Sequence, residues 1–395
     1  MTIRRLVVQI PGLWEDAWLY RDNLYVWDRL GTILSVPVDR LSGLIAMASD
    51  EHVQVLANQL ILRSQRKSSR DFKEMTALQS VRRELFAPLQ GQPELVVTLD
   101  ASMLSPAPVE RLPGNVTDTV VYGNRLFTAT DSGTYETRLE PRQQAQHQVP
   151  LLQVTDAPTT SVVAGAGQLA ASLGERGLVA REVHFGEGEG WYEEAERATV
   201  RPLAPYSRSI SSSSVHLLNY GEAPVPDFIK ADRPRASRGS DSGERMVTKY
   251  EAPRPLTSTL TDAIGEGLSF GRDDVEVLGN ASYRLLVRVR DEVEIVNIQA
   301  FDDRPLRLQK KDKLNLSQEN ARSLRSTIST QALDSGFLVE HLNGVHVFGT
   351  FGAVELADEM IVQARAFPNS RRYGDTVALI REDRLDLIGF VDVTP

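Results

Sequence analysis

Three places in this 395-residue sequence carry residue types and spacings that do chemistry. The first is Val162-Val163-Ala164-Gly165-Ala166-Gly167-Gln168-Leu169-Ala170. Gly-x-Gly-x-x-Ala after an apolar pair is the spacing of a dinucleotide loop, whose glycines let backbone amides close on a pyrophosphate at a helix N-terminus. The helix available runs only from about Gln168 to Arg176, short for a crossover, and Glu182 or Glu187 would have to hold the ribose. A β-hairpin is the preferred reading of these residues. A nucleotide-binding or hydrolytic enzyme using Gly165–Ala170, or a site in a central channel, is the alternative. The second place is Gly186-Glu187-Gly188-Glu189-Gly190, glycine-rich like a phosphate loop. Its two carboxylates would repel phosphate, and no Gly-Lys-Ser/Thr follows. Trp191 and Tyr192 come directly after it and are candidate partner-binding anchors, because aromatics dominate interface hot spots. Their other reading is packing of the loop back onto a sheet.

The third place holds His341 and His346, on either side of Asn343-Gly344. A two-residue hairpin turning on Asn-Gly would pair Leu342 with Val345 and His341 with His346, beside Val339 and Phe348. That is half of a metal site, but no carboxylate falls on the same face at strand spacing, so a structural pair is expected. His52, His147, His184 and His216 are scattered. There is no His-Glu-x-x-His, calcium-loop or Gly-x-Ser-x-Gly pattern, and Ser211–Ser214 is a low-complexity run. With no cysteine, disulfides, thiolate metal sites and cysteine nucleophiles are excluded. No metal, cofactor or catalytic residue is assigned.

Basic side chains cluster at Arg63, Arg66, Lys67 and Arg70, at Arg82-Arg83, and at Lys310, Lys311 and Lys313. They lack the interleaved aromatics and glycines of nucleic-acid binding. The chain as a whole, with 44 basic and 53 acidic residues and a net charge of −9, has the wrong sign for it. Solvated helix faces are the ordinary reading of such clusters. The first cluster is also a candidate protein-docking face.

The elements that must position these residues are short strands. Trp18–Tyr20, Leu24–Trp27 and Thr32–Val38 are separated by Arg21-Asp22-Asn23 and Asp28–Gly31, the pattern of an antiparallel meander. The grammar returns at Val120–Leu139 and Ser161–Val183. Leu24 to Gly31 and Leu126 to Gly133 span seven residues, and Leu169 to Gly177 eight. Weaker copies follow at Ser209–Leu218, Val275–Ala300, Phe337–Thr350 and Thr376–Val393. Three segments interrupt the pattern. Residues 41–90 read as a helical insertion, its two helices within Ser49–Phe86 and capped at Ser49 and Ser68. Residues 230–256 are rich in Ser, Arg, Pro and Gly and read as a flexible linker or long loop, with Arg235, Arg238, Arg245 and Lys249 as candidate cleavage positions. Ser317–Gln331 reads as a short helix.

Repeating units of this kind resemble β-propeller blades. Asp22–Leu34 resembles the strand–turn–strand core of a WD-repeat or quinoprotein blade, and Asn124–Thr134 and Gln168–Leu178 are weaker echoes. The resemblance implies a mainly all-β, propeller-like domain over residues 1–395, with about six or seven blades. It also implies that Leu6–Ile10 joins the last blade near Leu385–Val393. The other architecture is an N-terminal sheet-plus-helices domain followed by an unrelated β-domain. Leu6–Ile10 is too short for a signal-peptide core, and no run approaches a membrane span, so a cytoplasmic location is expected. The expected role is a non-enzymatic scaffold, sensor or inhibitor subunit that binds another protein within a multi-protein complex. A bacterial regulatory or defence module, switched by cleavage in the linker, is its sharpest form.

Overall fold

The computed structural model describes residues 3–62, 83–139, 149–183, 191–212, 216–223, 225–232, 249–264, 274–281, 284–299, 307–314, 316, 324–349, 351–367, 370 and 372–393. The chain divides into two compact units, one from Met1–Ala107 with Leu316–Pro395 and the other from Pro108–Asn315.

The first unit opens with β1 (Ile3–Pro11), β2 (Trp14–Tyr20), β3 (Asn23–Asp28) and β4 (Ile33–Pro37), then α1 (Val38–Ala48), α2 (Glu51–Ala57), β5 (Glu94–Thr98) and β6 (Ser105–Pro106). Strands β2, β3, β4 and β6 form one antiparallel blade.

The second unit contains four blades. They are β7 (Val116–Tyr122) to β10 (Leu152–Thr155) through β8 (Arg125–Thr130) and β9 (Gly133–Arg138), and β11 (Ser161–Gly165), β12 (Gln168–Ser172), β13 (Leu178–Glu182) and β14 (Arg201–Ala204), with α3 (Trp191–Arg197) before the last strand. Then come β15 (Ser209–Ser212), β16 (His216–Tyr220), β17 (Asp227–Asp232), β18 (Lys249–Tyr250) and β19 (Arg254–Pro255). After α4 (Thr257–Ile264) the unit ends with β20 (Val275–Ala281), β21 (Arg284–Val289), β22 (Glu292–Gln299) and β23 (Arg307–Leu314).

The first unit resumes with β24 (Thr327–Ala332), β25 (Gly336–His341), β26 (Gly344–Gly349) and β27 (Gly352–Ala357), and finishes with β28 (Gln363–Ala366), β29 (Val377–Ile380) and β30 (Arg384–Asp392). Seven meander sheets are the architecture of a seven-bladed β-propeller.

Strand β1 completes the last blade, antiparallel to β30 from Ile3↔Asp392 to Pro11↔Arg384. Joining both chain ends in one sheet excludes separate, unrelated N- and C-terminal domains. On its other edge β1 takes β5 in parallel, which shields an edge strand that would otherwise offer free hydrogen-bonding groups.

Middle strands such as β8, β12, β25 and β26 are buried at every position. Strand β12 shows why: Leu169 and Ala171 pack against one neighbouring blade and Ala170 against the other, so both side-chain rows must suit a core. Within the second unit Phe127 and Ala129 meet Val162 and Leu169 between two blades, and Leu218 and Phe228 meet Val277 and Leu285 between two others.

The repeat seen in the sequence has a steric cause. Gly133 and Gly177 sit at the turn before the third strand of their blades at φ +149° and +93°, and Gly344 holds the same place at φ +145°. A Cβ there would lie 2.2 Å from the Thr155 carbonyl oxygen, 2.2 Å from that of Ala204 and 2.1 Å from that of Ala357, respectively. The fourth strand therefore approaches where only glycine leaves room.

Several local expectations are corrected. Helix α1 begins at Val38, directly after β4, and Ser49 is its C-terminal neighbour, with Oγ donating to the Ile45 carbonyl. The N-cap of α2 is Asp50, whose Oδ1 accepts the Val53 amide at 2.9 Å. Ser68 lies outside the described residues. Of Ser317–Gln331, expected as a short helix, residues 317–323 lie outside the described residues, and Thr327–Ala332 is a strand because its Thr and Ile side chains suit the ladder with β25. Backbone after α2 returns to the last blade: Thr376 Oγ1 donates to the Ile61 carbonyl at 2.9 Å, and Gly389 leaves space for Leu60 and Ile61.

Candidate protein-interaction surface

The dinucleotide-like segment is a hairpin. Ala166 and Gly167 form its two-residue turn at φ 52° and 79°, between paired β11 and β12. No helix follows, and the Gly167 amide that a phosphate would need already donates to the Tyr122 hydroxyl at 3.0 Å.

The Leu342–Val345 register is also corrected. His341 pairs with Gly344 and Val339 with His346, so the turn residues are Leu342 and Asn343. The imidazoles still meet diagonally, with His341 Nε2 2.8 Å from His346 Nδ1. The Asn343 amide donates to His341 Nδ1, which leaves Nε2 as the donor to His346, and His346 Nε2 lies 3.7 Å from Glu355. Glu355 stands opposite His346 on β27, a carboxylate the hairpin alone did not reveal. Burial lowers both imidazole pKa values; the neighbouring His346 also lowers that of His341, and Glu355 opposes this. Among the described residues no group of three His, Cys, Asp or Glu is placed to hold a metal.

His216 is the more deeply buried ring. It stacks on Phe228 with centroids 5.0 Å apart, and its Nε2 accepts from Asn280 Nδ2 at 3.0 Å, while Asn280 Oδ1 accepts from Ser211. The serine contacts asparagine rather than the imidazole, so this is a brace between blades and not a hydrolytic dyad. Burial pushes the His216 pKa down to about 3. The folded chain therefore binds fewer protons than the unfolded one below pH 6.5. This stability is complete above that value and falls as pH drops toward about 3. At about pH 5 the loss from this one ring is about 2 kcal/mol. Urea midpoints at neutral and mildly acid pH test this: His216→Gln is expected to flatten the dependence, and an unchanged slope would exclude His216 as a source.

Most of the predicted site side chains lie outside the described residues. Trp191 and Tyr192 open α3, a helix and not a loop, and their side chains lie outside the described residues. Arg63, Arg66, Lys67, Arg70, Arg235, Arg238 and Arg245 also lie outside them. Lys249 is exposed in β18, where it pairs with Asp232.

A surface that was not predicted lies in the first unit. The Pro11↔Arg384 register sets the β1–β2 connection beside the β29–β30 turn, and the Gly12 amide donates to the Asp383 carbonyl at 2.8 Å. Arg29 donates to the Glu382 carbonyl at 3.4 Å, bringing in the β3–β4 turn. The Val362 amide donates to Ile380, and Arg381 pairs with Glu359, which adds the β27–β28 connection. Pairing of Val345 with Ala357 adds the β25–β26 turn. At this one end of the unit, Leu13 is 57% exposed, Leu30 65%, Leu342 57% and Met360 73%. Single exposed apolar residues need no explanation, but four on adjoining turns form the kind of patch that partners cover. Each belongs to a different turn or connection, so only the strand register could group them.

Charges frame this patch. Buried Asp386 accepts from Arg381 Nε at 2.7 Å and Arg384 Nε at 3.1 Å, and Arg384 also pairs with Asp383 at 3.0 Å. Arg29 lies 3.7 Å from Glu15. Asp28 Oδ1 is occupied by the Leu30 and Thr32 amides, which sets the shape of the turn that presents Leu30.

No family model matches the chain, and no curated protein matches it. Solved structures similar to it include the β-propeller domain of Cps50 (Swd1) from Myceliophteria thermophila, at 12% identity over 96% of both chains with a TM-score of 0.47. The WD40 domain of Neurospora crassa Pan2 is similar at 8% identity over 96% of this chain and 89% of that one, with a TM-score of 0.41. The N-terminal domain of Nup159 is similar at 8% identity over 96% and 90%, with a TM-score of 0.44. The fold assignment rests on the seven sheets themselves.

Proposed function

We propose that this chain is a non-enzymatic protein-binding module, a scaffold, sensor or inhibitor subunit that engages a protein partner through the turn end of its first unit. The observation that carries this reading is the grouping of Leu13, Leu30, Leu342 and Met360, all exposed, on adjoining turns of a rigid sheet framework. Rigid scaffolds present binding residues on such turns because strand pairing holds the turn ends while their tips remain free to vary. Interface cores are apolar patches with a polar rim, which is the arrangement here.

The test is site-specific photo-crosslinking in the cells that make the protein. A crosslinker at Leu30 or Met360 is expected to give a discrete protein adduct, and one at Met47, also exposed but on α1, is not. Equal adducts at all three positions, none at Leu30 and Met360, or adducts only to a second copy of the chain would overturn the reading.

A further inference from the structure

From the charges around this patch we infer that its partner is a basic segment, rich in Lys or Arg and carrying apolar anchor side chains. The inference rests on the protein-binding reading and adds the chemistry of the occupant.

The rim arginines are committed within the chain. Arg381 and Arg384 share buried Asp386 and reach Glu359 and Asp383, and Arg29 faces Glu15. Three positive charges thus meet four negative ones before any partner arrives. Asp358 and Glu382 are exposed on two of the same turns, one beside Met360 and the other beside the Arg29 contact, and no cation among the described residues pairs with either. Arg325, near the β25–β26 turn through the Leu342 amide bond to Ser326, is the further guanidinium at this end. The patch as a whole keeps an excess of negative charge around its leucines and methionine.

An acidic partner would meet this excess and the locked arginines could not turn to receive it without abandoning Asp386, a buried carboxylate that would then lack its counter-charges. A neutral apolar partner would cover Asp358 and Glu382 without pairing them, at a desolvation cost. A basic segment satisfies both carboxylates while its apolar residues cover Leu13, Leu30, Leu342 and Met360. Complementary charge speeds encounter and is screened by salt, whereas apolar contact is not, so binding should have a salt-sensitive and a salt-insensitive part.

The probe is a phage-displayed library of random peptides, selected on the full chain and counter-selected on a Leu30→Ser/Leu342→Ser/Met360→Ser variant. These positions are exposed, so the variant is expected to melt with the parent. Peptides that bind the parent but not this variant are expected to carry an excess of Lys or Arg around apolar residues. Their affinity should fall about tenfold on an Asp358→Lys/Glu382→Lys variant, the size of a modest interface hot spot. Discriminating peptides that are acidic or uncharged, or that ignore the charge reversal, would overturn the basic-partner inference while leaving the surface intact. If no peptide distinguishes parent from serine variant, the surface reading itself falls.

Discussion

Glu136→Gln is expected to cost about 3–5 kcal/mol of stability. Glu136 is fully buried on β9 and faces two guanidiniums. Arg125 of its own blade has Nε 3.6 Å from Oε1, and Arg181 of the next blade donates to Oε2. Arg181 Nη1 also donates to the Ala195 carbonyl at 3.1 Å, which ties α3 to both blades. Burial, with Arg125 beside it, lowers the Arg181 pKa to about 10, which still leaves it charged at neutral pH. Glutamine keeps the shape but removes the negative charge that both cations share. Against a typical total of about 5–15 kcal/mol, such a loss leaves the unit marginal. Urea unfolding checks it through a lower midpoint at unchanged slope. Arg181→Met retains the Arg125–Glu136 pair and should cost clearly less. A Glu136→Gln midpoint equal to the parent's would show that the carboxylate does not hold the trio.

The second large effect belongs to Asp16 and Arg365, which clamp neighbouring blades of the first unit. Arg365 Nε and Nη2 donate to the two Asp16 oxygens at 3.1 and 2.5 Å, and the guanidinium carbon lies 5.5 Å from the Trp18 ring centroid. Asp16 Oδ1 also accepts the Ala17 amide at 2.8 Å, beside a register shift in β2 that turns the carboxylate inward. Both side chains are buried. Asp16→Leu strips a buried cation of its bidentate partner and is expected to cost about 3–5 kcal/mol, whereas Asp16→Leu with Arg365→Met should recover much of it. If the double variant is as unstable as the sum of the singles, the two residues are not coupled and the clamp is wrong.

Neither buried network was legible in the sequence. Glu136 sits in Gly133-Thr134-Tyr135-Glu136-Thr137-Arg138, an alternating strand whose charged residues would normally face water. It is buried because a second blade covers that face and supplies Arg181. Strand alternation reports which residues share a side, not whether that side meets solvent or another sheet. The helical segment was legible as helix but misplaced at its start, since Pro37-Val38 after a strand gives no polar cap to mark it.

The sequence alone determined the repeating meanders, because turn chemistry and strand composition act over a few neighbouring residues. It determined the glycine spacing too, since a turn at positive φ beneath a fourth strand admits only a residue without a side chain. The resemblance to propeller blades also implied that the N-terminal strand would join the last blade, which β1 and β30 do. Tertiary structure decided everything that depends on which turns become neighbours. Residues 13, 30, 342 and 360 come from opposite ends of the chain, and pairing across β1 and β30 and the packing of successive blades bring their turns together. Their grouping arises from long-range strand pairing, on which local composition carries no information, whereas the arginines held by Asp386 belong to a single hairpin.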